Sequence, residues 1–189
     1  MKIAKTIFGL LLSVLLMPTN SNSQTSSIGF RCEPFLFLSK TEGTGSLAYN
    51  HKDEKAIYLT SFYLSYKYRV SEIFSVGTRA GYLWTNEDRY NGFEISELID
   101  ININDKAFFI TGINIHFNKG DSVREFFIKN IVVPSFIIGT GLKLSEAFNM
   151  EFQYLIPLNK EYKTSSFNGP VYYKLAGMLK LSVGFDWEL

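Results

Sequence analysis

One cysteine, Cys32, stands in a chain of 189 residues. No disulfide within the chain is therefore available to hold the fold, and no cysteine pair offers metal-ligand spacing. Histidine is nearly as scarce, His51 and His116 being the two present. Charge of one sign is missing too: 19 Lys and Arg stand against 18 Asp and Glu, a formal net charge of +1. Nucleic-acid binders carry a clustered basic surface, so a nucleic-acid partner is not expected. Long apolar runs are absent except at Ile7 to Met17 (IFGLLLSVLLM), which falls short of the ~20 residues that a spanning helix needs. A chain of this kind enters a bilayer through strands, closed into a barrel, or not at all.

The apolar run has the setting of an export signal. Lys2 and Lys5 precede it, and Ser21-Asn22-Ser23 follows with small residues at the positions a signal peptidase inspects. Cleavage is expected after Ser23, leaving 24–189 as one domain. Gln24, not a cysteine, directly follows that site, so no lipid-anchored form is expected. Aromatic residues are abundant, with 17 Phe and 11 Tyr, which favours strands, because flat rings pack well on a pleated surface.

From Ile28 onward the residues alternate with period two. The first segment sets Ile28, Phe30, Cys32, Pro34, Leu36 and Leu38 against Gly29, Arg31, Glu33, Phe35, Phe37 and Ser39. The second sets Tyr58, Thr60, Phe62, Leu64, Tyr66 and Tyr68 against Leu59, Ser61, Tyr63, Ser65, Lys67 and Arg69. Further segments lie near 74–84, 93–103, 107–117, 131–144 and 147–158, and a last one near 171–189. On that last strand Val171, Tyr173, Leu175, Gly177, Leu179, Leu181, Val183, Phe185 and Trp187 share a face opposite Lys174, Met178, Lys180, Ser182 and Asp186. Helical spacing fits none of these segments. They amount to roughly eight strands, each near the ~10 residues that cross a bilayer at a tilt.

Connection lengths alternate as well. Val70-Ser71-Glu72-Ile73, Asn104-Asp105-Lys106 and Ser145-Glu146 are tight turns, whereas 40–56, 86–92, 118–130 and 159–170 are longer and polar. Short turns at one end and long loops at the other are the pattern of an up-and-down outer-membrane barrel.

A soluble ligand-carrying barrel of the lipocalin type has the same period with its faces inverted. Three features favour the membrane. The polar face is rich in small residues (Ser61, Ser65, Gly77, Gly81, Gly112, Ser135, Gly139, Gly141), and an eight-stranded interior has little room. The apolar face, bulky with Phe62, Phe136, Phe152, Leu179 and Leu181, carries one ionisable carboxylate, Glu97, and no Lys or Arg. Aromatic residues mark both ends of that face: Tyr66, Tyr68, Phe74, Phe148 and Trp187 near the short turns, Tyr58, Tyr82, Trp84 and Tyr173 near the long loops. The inward charges Arg31, Glu33, Lys67, Arg79, Glu151 and Lys180 are expected to pair, since a buried unpaired charge is costly.

The final residues, Ser182-Val183-Gly184-Phe185-Asp186-Trp187-Glu188-Leu189, resemble the C-terminal signature of outer-membrane barrels, with Leu189 in place of the commoner Phe. That resemblance implies insertion by the barrel-assembly machinery of a Gram-negative cell. The segment Phe62 to Tyr82 (FYLSYKYRVSEIFSVGTRAGY) is similar to strands two and three of small porin-like barrels common in Bacteroidota. This second likeness implies fold and location, and transfers no activity.

Chemistry is sparse. Lipid-A deacylation in small barrels would require, by resemblance, a His two residues before a Ser; here Asn118 follows His116. His116, beside Asn114 on the polar face, is expected to be a hydrogen-bonded lumen or rim residue. His51, Asp53 and Glu54 lack a second histidine or cysteine at ligand spacing. Gly43-Thr44-Gly45 precedes no helix and so makes no phosphate cradle, and Lys119, Gly120, Asp121, Arg124 and Glu125 form a solvated run. Three residues strain the scheme: Pro34 and Pro134 inside strands, and Glu97 facing lipid unless a bulge resets the fourth strand.

The resulting expectation is a closed, all-β, eight-stranded antiparallel transmembrane barrel in the outer membrane, with outer-membrane lipid as its surroundings. No catalytic, cofactor-binding or metal-binding residue is assigned and no cofactor is expected. A structural or surface-interaction role through four loops of unknown ligand leads. The alternatives are a small-solute channel or hydrophobic-ligand transporter, and a secreted lipocalin-like barrel.

Overall fold

The computed structural model describes residues 25–43, 52–58, 61–85, 90–119, 129–130, 132–165 and 171–189. The expected signal segment, His51, Thr44, Gly45, Gly120, Asp121, Arg124 and Glu125 lie outside the described residues.

The strands are β1 (Ser26–Cys32), β2 (Phe35–Gly43), β3 (Lys52–Tyr58), β4 (Ser61–Arg69), β5 (Phe74–Leu83), β6 (Asn91–Asn102), β7 (Ala107–Lys119), β8 (Lys129–Asn130), β9 (Val132–Lys143), β10 (Phe148–Pro157), β11 (Glu161–Ser165) and β12 (Val171–Glu188). Every pairing is antiparallel, running β1-β4-β5-β6-β7-β9-β10-β12, and β1 pairs with β12 from Ser27↔Glu188 to Cys32↔Val183. That last ladder closes the sheet. Two staves are interrupted: β1 and β2 form one, β3 and β4 the next, so the closed barrel has eight staves. β11, joined to β8 and β12, prolongs the wall past β10.

The tight turns form because a side-chain oxygen near each one takes backbone N–H groups that the ladder leaves over. Ser71 Oγ accepts from Phe74 N (3.1 Å), Ser145 Oγ from Phe148 N (3.1 Å), and Asn104 Oδ1 from Lys106 N (2.9 Å) and Ala107 N (2.7 Å). These turns share one rim with the Ser27–Glu188 end of the closing ladder.

Both prolines sit where a missing N–H is tolerated. Pro34 occupies the gap between β1 and β2; its carbonyl accepts from Leu181 N (2.9 Å), while Glu33 N bonds Ser61 O (3.0 Å). Pro134 lies inside β9 with its carbonyl on Leu158 N (2.8 Å). N–H and C=O of one residue point to the same neighbour in an antiparallel ladder, so the absent donor faces chain just past the end of β10.

Alternation is inverted relative to a soluble barrel. Ile28, Phe30, Leu64, Phe93, Ile113, Phe136, Phe152, Leu181 and Trp187 are exposed, with Leu64 at 70% and Phe152 at 53%. Arg31, Glu33, Arg79, Glu94, Glu151 and Lys180 are buried inside. Small inward residues make the room: a methyl group on Gly141 would occupy the space of the Phe108 ring, and one on Gly184 that of the Arg31 guanidinium.

Two phase shifts depart from simple alternation. The ladder of β12 on β2 slips between Leu175 and Gly177, so Leu175 and Met178 both point inward and are fully buried. A comparable shift between β3 and β4 turns Ile57 outward (73% exposed) and packs Tyr58 on the inner cluster. Leu175, Tyr58 and Tyr173, expected on the lipid face, are therefore inside, and only Tyr82 and Trp84 of the expected loop-side aromatics stand outside. β6 has no such shift: its ladders run unbroken from Leu83↔Gly92 to Phe74↔Ile101 and from Asn91↔Lys119 to Asn102↔Phe108. Glu97 accordingly faces outward.

Candidate functional site

Among the described residues polar side chains converge in the lumen, which is built in three tiers. Nearest the long connections the tier is aromatic. Phe37 packs on Tyr90 (4.9 Å between centroids) and Tyr162 (5.7 Å), and Phe35 on Tyr58 (5.2 Å). Leu83, Val133, Leu155, Leu175 and Met178 fill the space between. The bulge at Leu175/Gly177 and the break between β3 and β4 bring Leu175, Tyr173 and Tyr58 into this cluster.

The middle tier is ionic. Arg79 reaches from β5 to Glu33 (3.2 Å) and to Glu151 on β10 (2.7 Å). Arg31 on β1 binds Asp186 on β12 (2.7 Å) and lies 3.8 Å from Glu151. Lys180 on β12 bridges Glu94 on β6 (2.7 Å) and Glu33 (3.4 Å), and donates to the Tyr63 hydroxyl (2.8 Å), which itself donates to Glu94. The far oxygen of Glu94 meets His116 Nδ1 (3.1 Å) and the Asn114 amide (3.3 Å). Gln153 donates to Glu151 (2.7 Å), and Asn149 to Asp186 (2.8 Å). The result is one connected network, Asp186–Arg31–Glu151–Arg79–Glu33–Lys180–Glu94–His116, whose members come from opposite walls. Three cations (Arg31, Arg79, Lys180) face four carboxylates (Glu33, Glu94, Glu151, Asp186).

Toward the turn rim the lumen widens into a cavity of about 90 Å³ lined by Lys67, Arg69, Asp100, Lys143, Asp186 and Glu188, among others. Lys67 pairs with Asp100 (2.6 Å) and sits 5.3 Å above the Phe108 ring.

Of the inward charges singled out in the sequence, Arg31, Glu33, Arg79, Glu151 and Lys180 come together, while Lys67 belongs to the tier below. Glu94 and Tyr63 were missed. Parity held the signal for Glu94, which is an even number of residues from Asp100 along the regular β6. His116 is fully buried in the lumen, its ring stacked on Tyr90 at 3.9 Å. Asn118, also buried, donates to the Tyr162 carbonyl (3.0 Å). Lys119 ends β7, exposed. No group of three His, Cys, Asp or Glu residues at metal-holding distance occurs among the described residues.

No protein-family model matches the chain, and no curated protein matches it. Solved structures do. The solid-state NMR structure of the outer membrane protein AlkL in DMPC bilayers aligns with a TM-score of 0.53 at 13% identity, covering 91% of this chain and 95% of that one. The N-terminal β-barrel domain of Pseudomonas aeruginosa OprF aligns at 0.46 and 14% identity, over 85% and 97% of the chains. Ail of Yersinia pestis, in complex with the heparin analogue sucrose octasulfate, aligns at 0.42 and 13% identity, over 87% and 99%. At these identities the likeness to AlkL is one of fold. Taken with the apolar exterior, that fold makes the chain an outer-membrane β-barrel, crossing with its strands.

Proposed function

We propose that this chain is an integral outer-membrane protein whose lumen is closed to solutes and whose work is done by its four long loops, in a structural or surface-interaction role. In this reading residues 1–23 direct export, barrel-assembly machinery inserts the mature barrel, and no reaction is catalysed. The likeness of Phe62–Tyr82 to porin-like barrels of Bacteroidota suggests the group to which it belongs.

The observation that carries the reading is the ionic tier. Its side chains bond one another across the lumen, and separating them would leave buried charges unpaired. The aromatic tier above supplies a second seal. That tier also favours a second reading, a carrier for a hydrophobic solute, because Phe35, Phe37, Tyr58 and Tyr90 offer an apolar lining.

Planar-bilayer recordings on the purified full chain test the closed lumen. The wild type is expected to give no conductance steps, and the triple variant Glu33→Ser, Arg79→Ser, Lys180→Ser to give steps. Steps from the wild type would overturn the proposal. Silence from the wild type together with uptake of a hydrophobic dye by proteoliposomes would favour the carrier.

A further inference from the structure

Glu97 is the one carboxylate among the described residues that faces outward from within the apolar band. Its neighbours along the outer side of β6 are Phe93 and Ile95 toward the loops and Ile99 and Ile101 toward the turns, which sets it at mid-depth. Across the ladders it is flanked by Thr78 on β5 and Ile113 on β7. One of its oxygens accepts from Thr78 Oγ1 (3.1 Å). The other has no protein partner, and hydrocarbon offers none.

A lone carboxyl group at this depth is expensive in either form: charged, it lacks solvation, and neutral, it exposes an unmet O–H donor. A neutral carboxyl, however, carries its own donor beside its own acceptor. Two of them meeting across a two-fold axis satisfy each other completely, each O–H donating to the other's carbonyl oxygen. An isologous contact of this kind sets a residue against its own copy only on the axis.

We infer that Glu97 marks the centre of a two-fold interface between two copies of this chain within the bilayer. The surroundings fit a close approach. Thr78 and Ala80, beside Glu97 and Ile95 on the neighbouring strand, are small, and small residues are what membrane interfaces use to bring backbones together. Lipid tails supply neither an acceptor for its O–H nor a donor for its free oxygen. A partner of another sequence would have to carry its own polar group to the same depth, whereas a second copy does so by symmetry. The interface lies on the outer wall, so it stands or falls independently of whether the lumen conducts.

The test uses the full chain in lipid vesicles over a range of protein-to-lipid ratios, with heat-modifiable gel mobility confirming that each variant is folded. Wild type and Glu97→Gln, whose carboxamide keeps a donor and an acceptor, are expected to dimerise. Glu97→Leu is expected to associate about tenfold more weakly, the scale of a polar contact between membrane segments. In a Cys32→Ser background, Ile95→Cys or Ile113→Cys should give disulfide-linked dimers, and Leu181→Cys on the opposite wall should give none. A wild type that stays monomeric at every ratio overturns the inference, as does a Glu97→Leu dimer as tight as the wild type or linkage through position 181. If Glu97→Leu fails to fold, the cysteine variants, which retain Glu97, still decide.

Discussion

Arg79 is held between two carboxylates from different staves, Glu33 and Glu151, with all three side chains at most 4% exposed. Truncating it therefore removes two ion pairs and leaves two buried anions facing each other. Arg79→Ala is expected to cost about 3–5 kcal/mol, read from urea unfolding in lipid vesicles. Its partners Glu33 and Glu151, like the other two cations Arg31 and Lys180, were legible from parity in the sequence, and Glu94 was equally available once β6 was known to be regular. Which carboxylate each cation takes was not legible, because that depends on which staves face each other across the lumen. A neutral pair tests packing separately. The three atoms nearest to a Cβ on Gly141 all belong to the Phe108 ring. Gly141→Ala should destabilise by about 1–3 kcal/mol as overpacking, and Phe108→Leu in the same chain should recover much of that loss.

At the scale of the element, a bulge decides which end of a strand is greasy inside. β12 runs for 18 residues, and its slip between Leu175 and Gly177 turns its loop-side half inward. Deleting Ala176 removes the extra residue and should leave Leu175 and Tyr173 facing inward, opposite Ser39 and Thr41 on a regular ladder. The expected outcome is an aromatic tier left intact, read as unchanged Tyr fluorescence anisotropy of the packed cluster. The tight turns were readable because their capping oxygens, on Ser71, Asn104 and Ser145, act within three residues of their targets. The bulges were not, since one extra residue in a strand changes neither composition nor local polarity, and only pairing to the neighbouring strand exposes it.

The whole molecule is a barrel turned inside out, with hydrocarbon meeting Phe152 and Leu181 while charge is locked within. Two measurements check that inversion. Leu181→Arg should cost about 2–4 kcal/mol in vesicle unfolding, the penalty for a cation on the lipid face near the midplane. The unfolding midpoint of the wild type should move little between about 0.1 and 1 M salt, because buried pairs are screened far less than surface ones. Alternation, turn chemistry and the lack of outward Lys or Arg determined the eight-stave barrel and the face it shows to lipid, since each of these is written in nearest neighbours along the chain. The division of the lumen into an aromatic tier, an ionic tier and a polar cavity at the turn rim was decided only by the tertiary structure. Those tiers are assembled from residues far apart in sequence, and their heights follow from stave registers that two phase shifts reset.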